Sequence, residues 1–265
     1  MKALVLGPGG IPATAWTAGL LTGLRAAGVD LAAADRIIGT SAGAIVGAVL
    51  ASGDDPARLG AVAPRRDGRR PDPARMREIF RALRDTTAPP AERLRRAGRL
   101  GLAAEAAGEV DGEEVFIARM AALIGAERWP ERLVIPVVDV ATGAARVLDA
   151  SDPQPLPVAV AAATAMPGTA PAITIDGRRY MDGALRGGAN EDLADGADIK
   201  IVVEPGAGGP FGGPPGEEPW RIVPDGPSRA LLADPSDPNA WPAAFAAGRD
   251  QAAADAPRVA AEWNV

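Results

Sequence analysis

Gly39-Thr40-Ser41-Ala42-Gly43 decides the fold of this chain through what stands on either side of it. Ahead of it lies the short strand-like run 36–38; behind it, 42–52 is apolar all round and reads as a buried helix. A serine on a strand-to-helix turn is a nucleophile elbow, bent so sharply that its hydroxyl projects above the sheet. Gly39 and Gly43, two residues to either side, permit that bend. A helix beginning at Ser41 aims its first amides, Ala42 among them, and its positive dipole end at developing oxyanion charge. The plainer alternative is a tight Gly-Ser turn with no chemistry.

Outward from the elbow, short continuous apolar runs mark further strands of a largely buried sheet at 3–6, 133–140 and 199–203, with shorter ones at 146–148, 173–175 and 178–181. Helical patterns alternate with them. Trp16, Leu20, Leu21 and Leu24 recur at helical spacing and Gly28 stops the run. Asp111 with Glu114 resembles a capping arrangement ahead of 115–124. An Ala-rich helical segment at 240–265 is expected to dock on the outside. Strand–helix alternation predicts an α/β fold, a three-layer α/β/α arrangement with a mostly parallel central sheet. The chain reads as one domain over 1–265, with a helical cap inserted at 54–110 and a flexible Gly/Pro loop at 205–219.

Composition narrows the chemistry. The 265 residues include no histidine and no cysteine. Ser-His-Asp relays, Cys-His relays, disulfides and His- or Cys-based metal sites are excluded together, and no metal is expected. Acid–base work falls to carboxylates, Lys, Arg or the single tyrosine, Tyr180. A net charge of −6 argues against a nucleic-acid partner, whose phosphates a binder must neutralise. The uncharged stretches 37–53 and 154–175 are interrupted by glycines and prolines respectively and read as core rather than membrane spans. The N-terminal apolar run is too short for a signal peptide, so a cytoplasmic protein is expected.

Two further segments carry chemistry. Gly7-Pro8-Gly9-Gly10 follows the first strand, and the amides near Gly9, Gly10 and Ile11 are placed to donate hydrogen bonds to an oxyanion. A dinucleotide loop competes for this reading, but Pro12 stands where its third glycine belongs and the Walker A lysine is missing. A purely structural turn stays open as well. Asp182, followed by Gly183 and Ala184, ends a hairpin-like apolar stretch. With no histidine available, a carboxylate desolvated enough to raise its pKa can accept the serine proton. Asp-Gly taken alone is as readily a turn.

Together these segments resemble the patatin-like phospholipase family, specifically its short bacterial members: the Gly-rich loop after strand one, the Gly-Thr-Ser-Ala-Gly elbow and the late Asp-Gly-Ala come in that family's order. Ala163-Thr164-Ala165-Met166-Pro167, Asn190 and Gly196-Ala197-Asp198-Ile199 are similar to its flanking blocks. The likeness covers 1–52 and 133–203. It implies a Ser41–Asp182 dyad, a backbone oxyanion hole and hydrolysis of lipid acyl esters with no cofactor. Pro8, Pro12 and the absence of a basic residue after the glycines depart from the family pattern. A non-catalytic lipid-binding or regulatory homologue and a nucleotide-binding protein therefore stand as alternatives.

The stretch 58–99 differs from the rest, with thirteen arginines against five acidic residues. Met76, Ile79, Phe80 and Leu83 form an apolar stripe within it. A solvated helix-pair surface is one reading; peripheral contact with an anionic membrane, at its inner face, is the other.

Overall fold

The computed structural model describes residues 1–62, 71–209, 218 and 220–264. Eight strands form one sheet among them: β1 (Lys2–Leu6), β2 (Arg36–Gly39), β3 (Leu133–Asp139), β4 (Ala145–Leu148), β5 (Ile173–Ile175), β6 (Arg178–Asp182), β7 (Ile199–Val203) and β8 (Arg221–Ile222). Their order is β5-β6-β3-β2-β1-β7-β8, with β4 on β3. The pairs from β8 through β7, β1 and β2 to β3 are parallel. Antiparallel pairing begins where β3 meets β4 and β6, and continues to β5.

Nine helices accompany the sheet in the described residues: α1 (Gly10–Ala26), α2 (Ala42–Ala51), α3 (Pro73–Arg84), α4 (Pro90–Ala106), α5 (Glu113–Ile124), α6 (Leu156–Ala163), α7 (Ala184–Gly187), α8 (Gly226–Leu231) and α9 (Trp241–Trp263). Strand alternation divides the core. Leu4, Leu6, Ile37, Ile135 and Val137 join the large cluster formed with α1, α2, α5, α6 and α9. Ala3, Val5, Ile38 and Val202 face the other way, onto the short segment around Ala189–Ala194. Val138, Val140 and Met181 meet Leu94 and Leu102 of α4. One face of the sheet is thus thickly covered, while the second is closed by a thin segment and by α4.

The strands expected at 3–6, 36–38, 133–140, 146–148, 173–175, 178–181 and 199–203 all form, with ends shifted by a residue. One expectation needs correction. Asp111 does not cap α5: the N-cap is Gly112, and Asp111 accepts from Arg119 at 2.7 Å. The C-terminal helix docks on the outside as expected, packed closely on α1. Gly19 and Gly23 of α1 and Gly248 of α9 let the two backbones approach so closely that a Cβ at any of them would collide with the other helix, and Trp241 and Trp263 are buried. The uncharged stretches 37–53 and 154–175, read as core, hold the buried helices α2 and α6. Among the described residues no helix is long and apolar enough to cross a membrane.

Between α2 and α5 the chain forms α3 and α4, which pack on each other, and α4 joins the sheet's second face. Of the loop expected at 205–219, residues 210–217 and 219 lie outside the described residues; 205–209 form a turn beside Pro8 and Gly9.

Candidate active site

Ser41 sits between β2 and α2 with φ 53° and ψ −118°, backbone that L residues avoid at a cost of roughly 1–3 kcal/mol. Its neighbours hold it there. The Thr40 amide donates to Leu6 O at 2.9 Å, Gly43 N to Thr40 O at 2.8 Å and Ala44 N to Ser41 O at 2.9 Å. Both flanking glycines are sterically required. A Cβ on Gly39 would stand 2.7 Å from Ala44 Cα, and one on Gly43 would collide with the carbonyl of Leu6. The bend leaves Ser41 partly exposed on a turn whose neighbours Thr40 and Ala42 are buried.

Asp182 arrives from 141 residues further along the chain and accepts a hydrogen bond from Ser41 Oγ on Oδ2 at 2.8 Å. It closes β6, opposite Val137 of β3, and its amide donates to Ala165 O at 3.1 Å. Gly183 must follow because a Cβ there would strike the Pro136 carbonyl. That lets the chain turn into α7, whose Ala184 amide donates to Asp182 Oδ1 at 2.8 Å and leaves Oδ2 to the serine. Asp182 is 1 % exposed. Burial pushes its carboxyl up to about 7, against the opposing pull of the Ala184 amide and the Ser41 hydroxyl. A carboxyl raised to that value changes charge near neutrality.

The two segments are tied together by a residue whose role the sequence did not disclose. Asn190, 1 % exposed and left-handed at φ 58°, donates from Nδ2 to Thr40 Oγ1, Gly183 O and Gly188 O, each at 3.1 Å. Its Oδ1 accepts from Arg186 at 2.8 Å. Thr40, wholly buried, donates in turn to Ala189 O at 3.2 Å. The elbow and the aspartate turn therefore share one buried polar bridge. The hints in the chain were the likeness of Asn190 to a family block and Thr40, a hydroxyl inside an apolar stretch that needed a buried partner.

The glycine loop is placed in part as expected. Gly9 is the N-cap of α1 and Gly10 its first residue, and Pro12 occupies the first turn of α1, where its missing N–H has no intrahelical acceptor to lose. Ile11 departs from the expectation. Its amide donates to the carbonyl of Pro235 at 2.8 Å, so it is not turned to an oxyanion here. Gly10, at φ +80°, has no room for a Cβ beside that same Pro235. The Tyr180 hydroxyl is bonded to Arg146 at 3.1 Å and stands outside the pair.

A family model described as patatin-like phospholipase matches residues 4–195. The chain belongs to the patatin-like phospholipase family. Membership implies a hydrolase acting on lipid esters, and the matched span holds the Gly-rich loop, the elbow, Asp182 and Asn190. Among solved structures, VipD from Legionella pneumophila is similar at 16 % identity and TM-score 0.43, over 78 % of this chain and 50 % of that one. The type III effector ExoU is similar at 16 % identity and TM-score 0.44, over 97 % of this chain and 53 % of that one. Full-length ExoU from Pseudomonas aeruginosa, in complex with SpcU, gives 18 % identity and TM-score 0.40, over 100 % of this chain and 53 % of that one. The patatin-like chain thus spans about half the length of these proteins. No curated protein matches the sequence significantly.

Proposed function

We propose that this patatin-like protein is a serine acyl hydrolase that cleaves lipid acyl esters through Ser41 and Asp182. The observation that carries the reading is the 2.8 Å hydrogen bond from a serine on a strained elbow to a buried aspartate. Ionised Asp182 takes the hydroxyl proton as Ser41 Oγ attacks the ester carbonyl. The tetrahedral intermediate collapses, the leaving alcohol receives that proton, and an acyl-serine remains. Water, deprotonated by the same carboxylate, then releases the fatty acid and restores Ser41. The Ala184 amide holds Oδ1, which keeps the carboxylate oriented through both halves. Amides at Gly9, Gly10 and Ala42 are the remaining oxyanion candidates, with Ile11 engaged elsewhere. No cofactor is needed for these steps.

Acyl chains would run against α4, where Gly98, Gly101, Leu102, Ala165 and Met181 line an apolar crevice; Met181 precedes Asp182 in β6, and the Ala165 carbonyl receives the Asp182 amide. That crevice holds about 10 Å³, barely one water, so α4 must shift outward to admit a chain. A second reading, a non-catalytic lipid-binding homologue, draws on the Ile11–Pro235 bond, which occupies one loop amide. Ester substrates of graded chain length, assayed with wild type and Ser41→Ala side by side, separate the two. The hydrolase reading expects turnover abolished by the substitution, together with fluorophosphonate labelling. Labelling that survives Ser41→Ala, or lipid binding with no ester cleavage, overturns it.

A further inference from the structure

The arginines of the inserted helices fall into two populations. Three of the four on α4 are ion-paired and share two carboxylates, while the fourth, Arg93, donates to the Leu83 carbonyl. Glu92 accepts from Arg95, from Arg96 at 3.0 Å and from Arg99 at 3.3 Å, and Asp85 accepts from Arg96 at 2.9 Å. These partners hold the Glu92 carboxyl at about 2, with the Arg95 hydrogen bond the largest influence. On α3, Arg75 is likewise paired, with Glu109 at 3.2 Å and Glu78 at 3.7 Å. Arg77, Arg81 and Arg84 are different. All three are exposed, and none is ion-paired with a carboxylate among the described residues. Their spacing of four and three residues puts them in one row along α3. Arg84 also stands over the half-buried Phe80 ring at 5.7 Å.

The opposite side of α3 is turned into the protein. Ile79 is fully buried, and Ile79 and Met76 close on Gly168. That glycine belongs to the segment whose Ala165 carbonyl receives the Asp182 amide. The unpaired cationic row is therefore the outer surface of the wall behind Asp182. A protein of net charge −6 is repelled as a whole by an anionic surface, so attraction through this row alone would also orient it.

We propose that the Arg77-Arg81-Arg84 face of α3 docks on a bilayer bearing anionic phospholipid headgroups, with Phe80 at the edge of the contact. Each arginine approaches lipid phosphates without an ion-paired carboxylate among the described residues to compete. Docking places the insertion, and the crevice beneath it, at the surface from which an acyl chain must come. The binding stands on the charge distribution alone; its consequence for catalysis rests on the hydrolase reading above.

The test uses the full chain and vesicles of phosphatidylcholine with or without about a third phosphatidylglycerol. Wild type is expected to co-sediment with the anionic vesicles only, and less so as salt rises. The triple variant Arg77→Glu, Arg81→Glu, Arg84→Glu should lose roughly 100-fold or more in partition, from the usual contribution of a basic residue at an anionic leaflet. A control triple, Arg95→Gln, Arg96→Gln, Arg99→Gln, should bind within about threefold of wild type. Hydrolysis of a short ester, monomeric in solution, should be equal in wild type and the α3 variant, which also reports that the variant folds. Hydrolysis of the vesicle lipid should fall with binding. Equal partition of wild type and the α3 variant, binding indifferent to lipid charge, or tighter association with duplex nucleic acid than with vesicles would overturn the proposal. If wild type cleaves neither ester yet binds as described, the hydrolase reading fails and the docking face stands.

Discussion

Two turns of this molecule each bury an aspartate at the end of a strand, and they treat it in opposite ways. Asp182 ends β6 and Asp139 ends β3, on antiparallel neighbours, at 1 % and 4 % exposure. Burial raises both. At Asp139 the amides of Thr142 and Ala141 donate at 2.8 and 2.9 Å and Arg178 at 3.0 Å, and the carboxyl ends below its ordinary value. At Asp182 one amide and one hydroxyl are all that oppose desolvation, and the carboxyl ends at about 7. Burial alone does not make a base. A buried carboxylate becomes one when its site withholds the cation and the second amide that would keep it ionised.

The largest effect that would test this difference is in turnover. Asp182→Asn is expected to reduce kcat by roughly 10²–10⁴-fold, the range for loss of a general base, while Asp139→Asn leaves kcat within about twofold. Steady-state kinetics on one soluble ester measures both. Comparable losses in the two variants would erase the distinction.

Next comes the bridge that holds the reactive turn in place. Asn190→Ala removes the donor shared by Thr40 and Gly183. It is expected to lower kcat about tenfold with KM little changed, because the Ser41–Asp182 geometry loosens while the apolar surfaces remain.

Stability effects are smaller and opposite in sign. The folded-state pKa of Asp139 is depressed, so its stabilising contribution is present above about 3.8 and lost as pH falls. Asp139→Asn should therefore cost about 1–2 kcal/mol at pH 7 and little in acid. Asp182 is raised from 3.8 to about 7, so its contribution is present below 3.8 and lost as pH climbs through 7. Asp182→Asn should then melt a few degrees above wild type at pH 8, at roughly 2–4 °C per kcal/mol, and show no such gain near pH 4. Thermal melts of both variants at the two pH values give four numbers to compare.

The contrast also marks where the sequence stops being readable. The elbow was legible because Gly39 and Gly43 stand two residues to either side of Ser41 between a strand-like run and an apolar helix, and β1, β2, β3 and β7 because parallel strands buried on both faces leave unbroken apolar runs. Asp182 could be nominated only by the absence of histidine and by likeness to a family, since Asp-Gly at 182–183 and Asp at 139 look alike as local sequence. What separates them is Ala165, Ala184 and Asn190 on one side and Arg178 and Thr142 on the other, contacts assembled by the tertiary fold. The close α1–α9 contact was hidden for a similar reason: Gly19, Gly23 and Gly248 are too far apart in the chain to show that they meet. The Ile11–Pro235 bond likewise joins positions with no local signature.

The relay itself is tested most directly by the rate at which a fluorophosphonate modifies Ser41 as a function of pH, in wild type and Asp182→Asn. Because the ionised carboxylate is the working form, the wild-type rate should fall tenfold per pH unit below about 7 and level off above it. The variant should be slow and flat. Equal rates in both proteins, or a wild-type rate already level at pH 5, would contradict the assignment of Asp182 as the base.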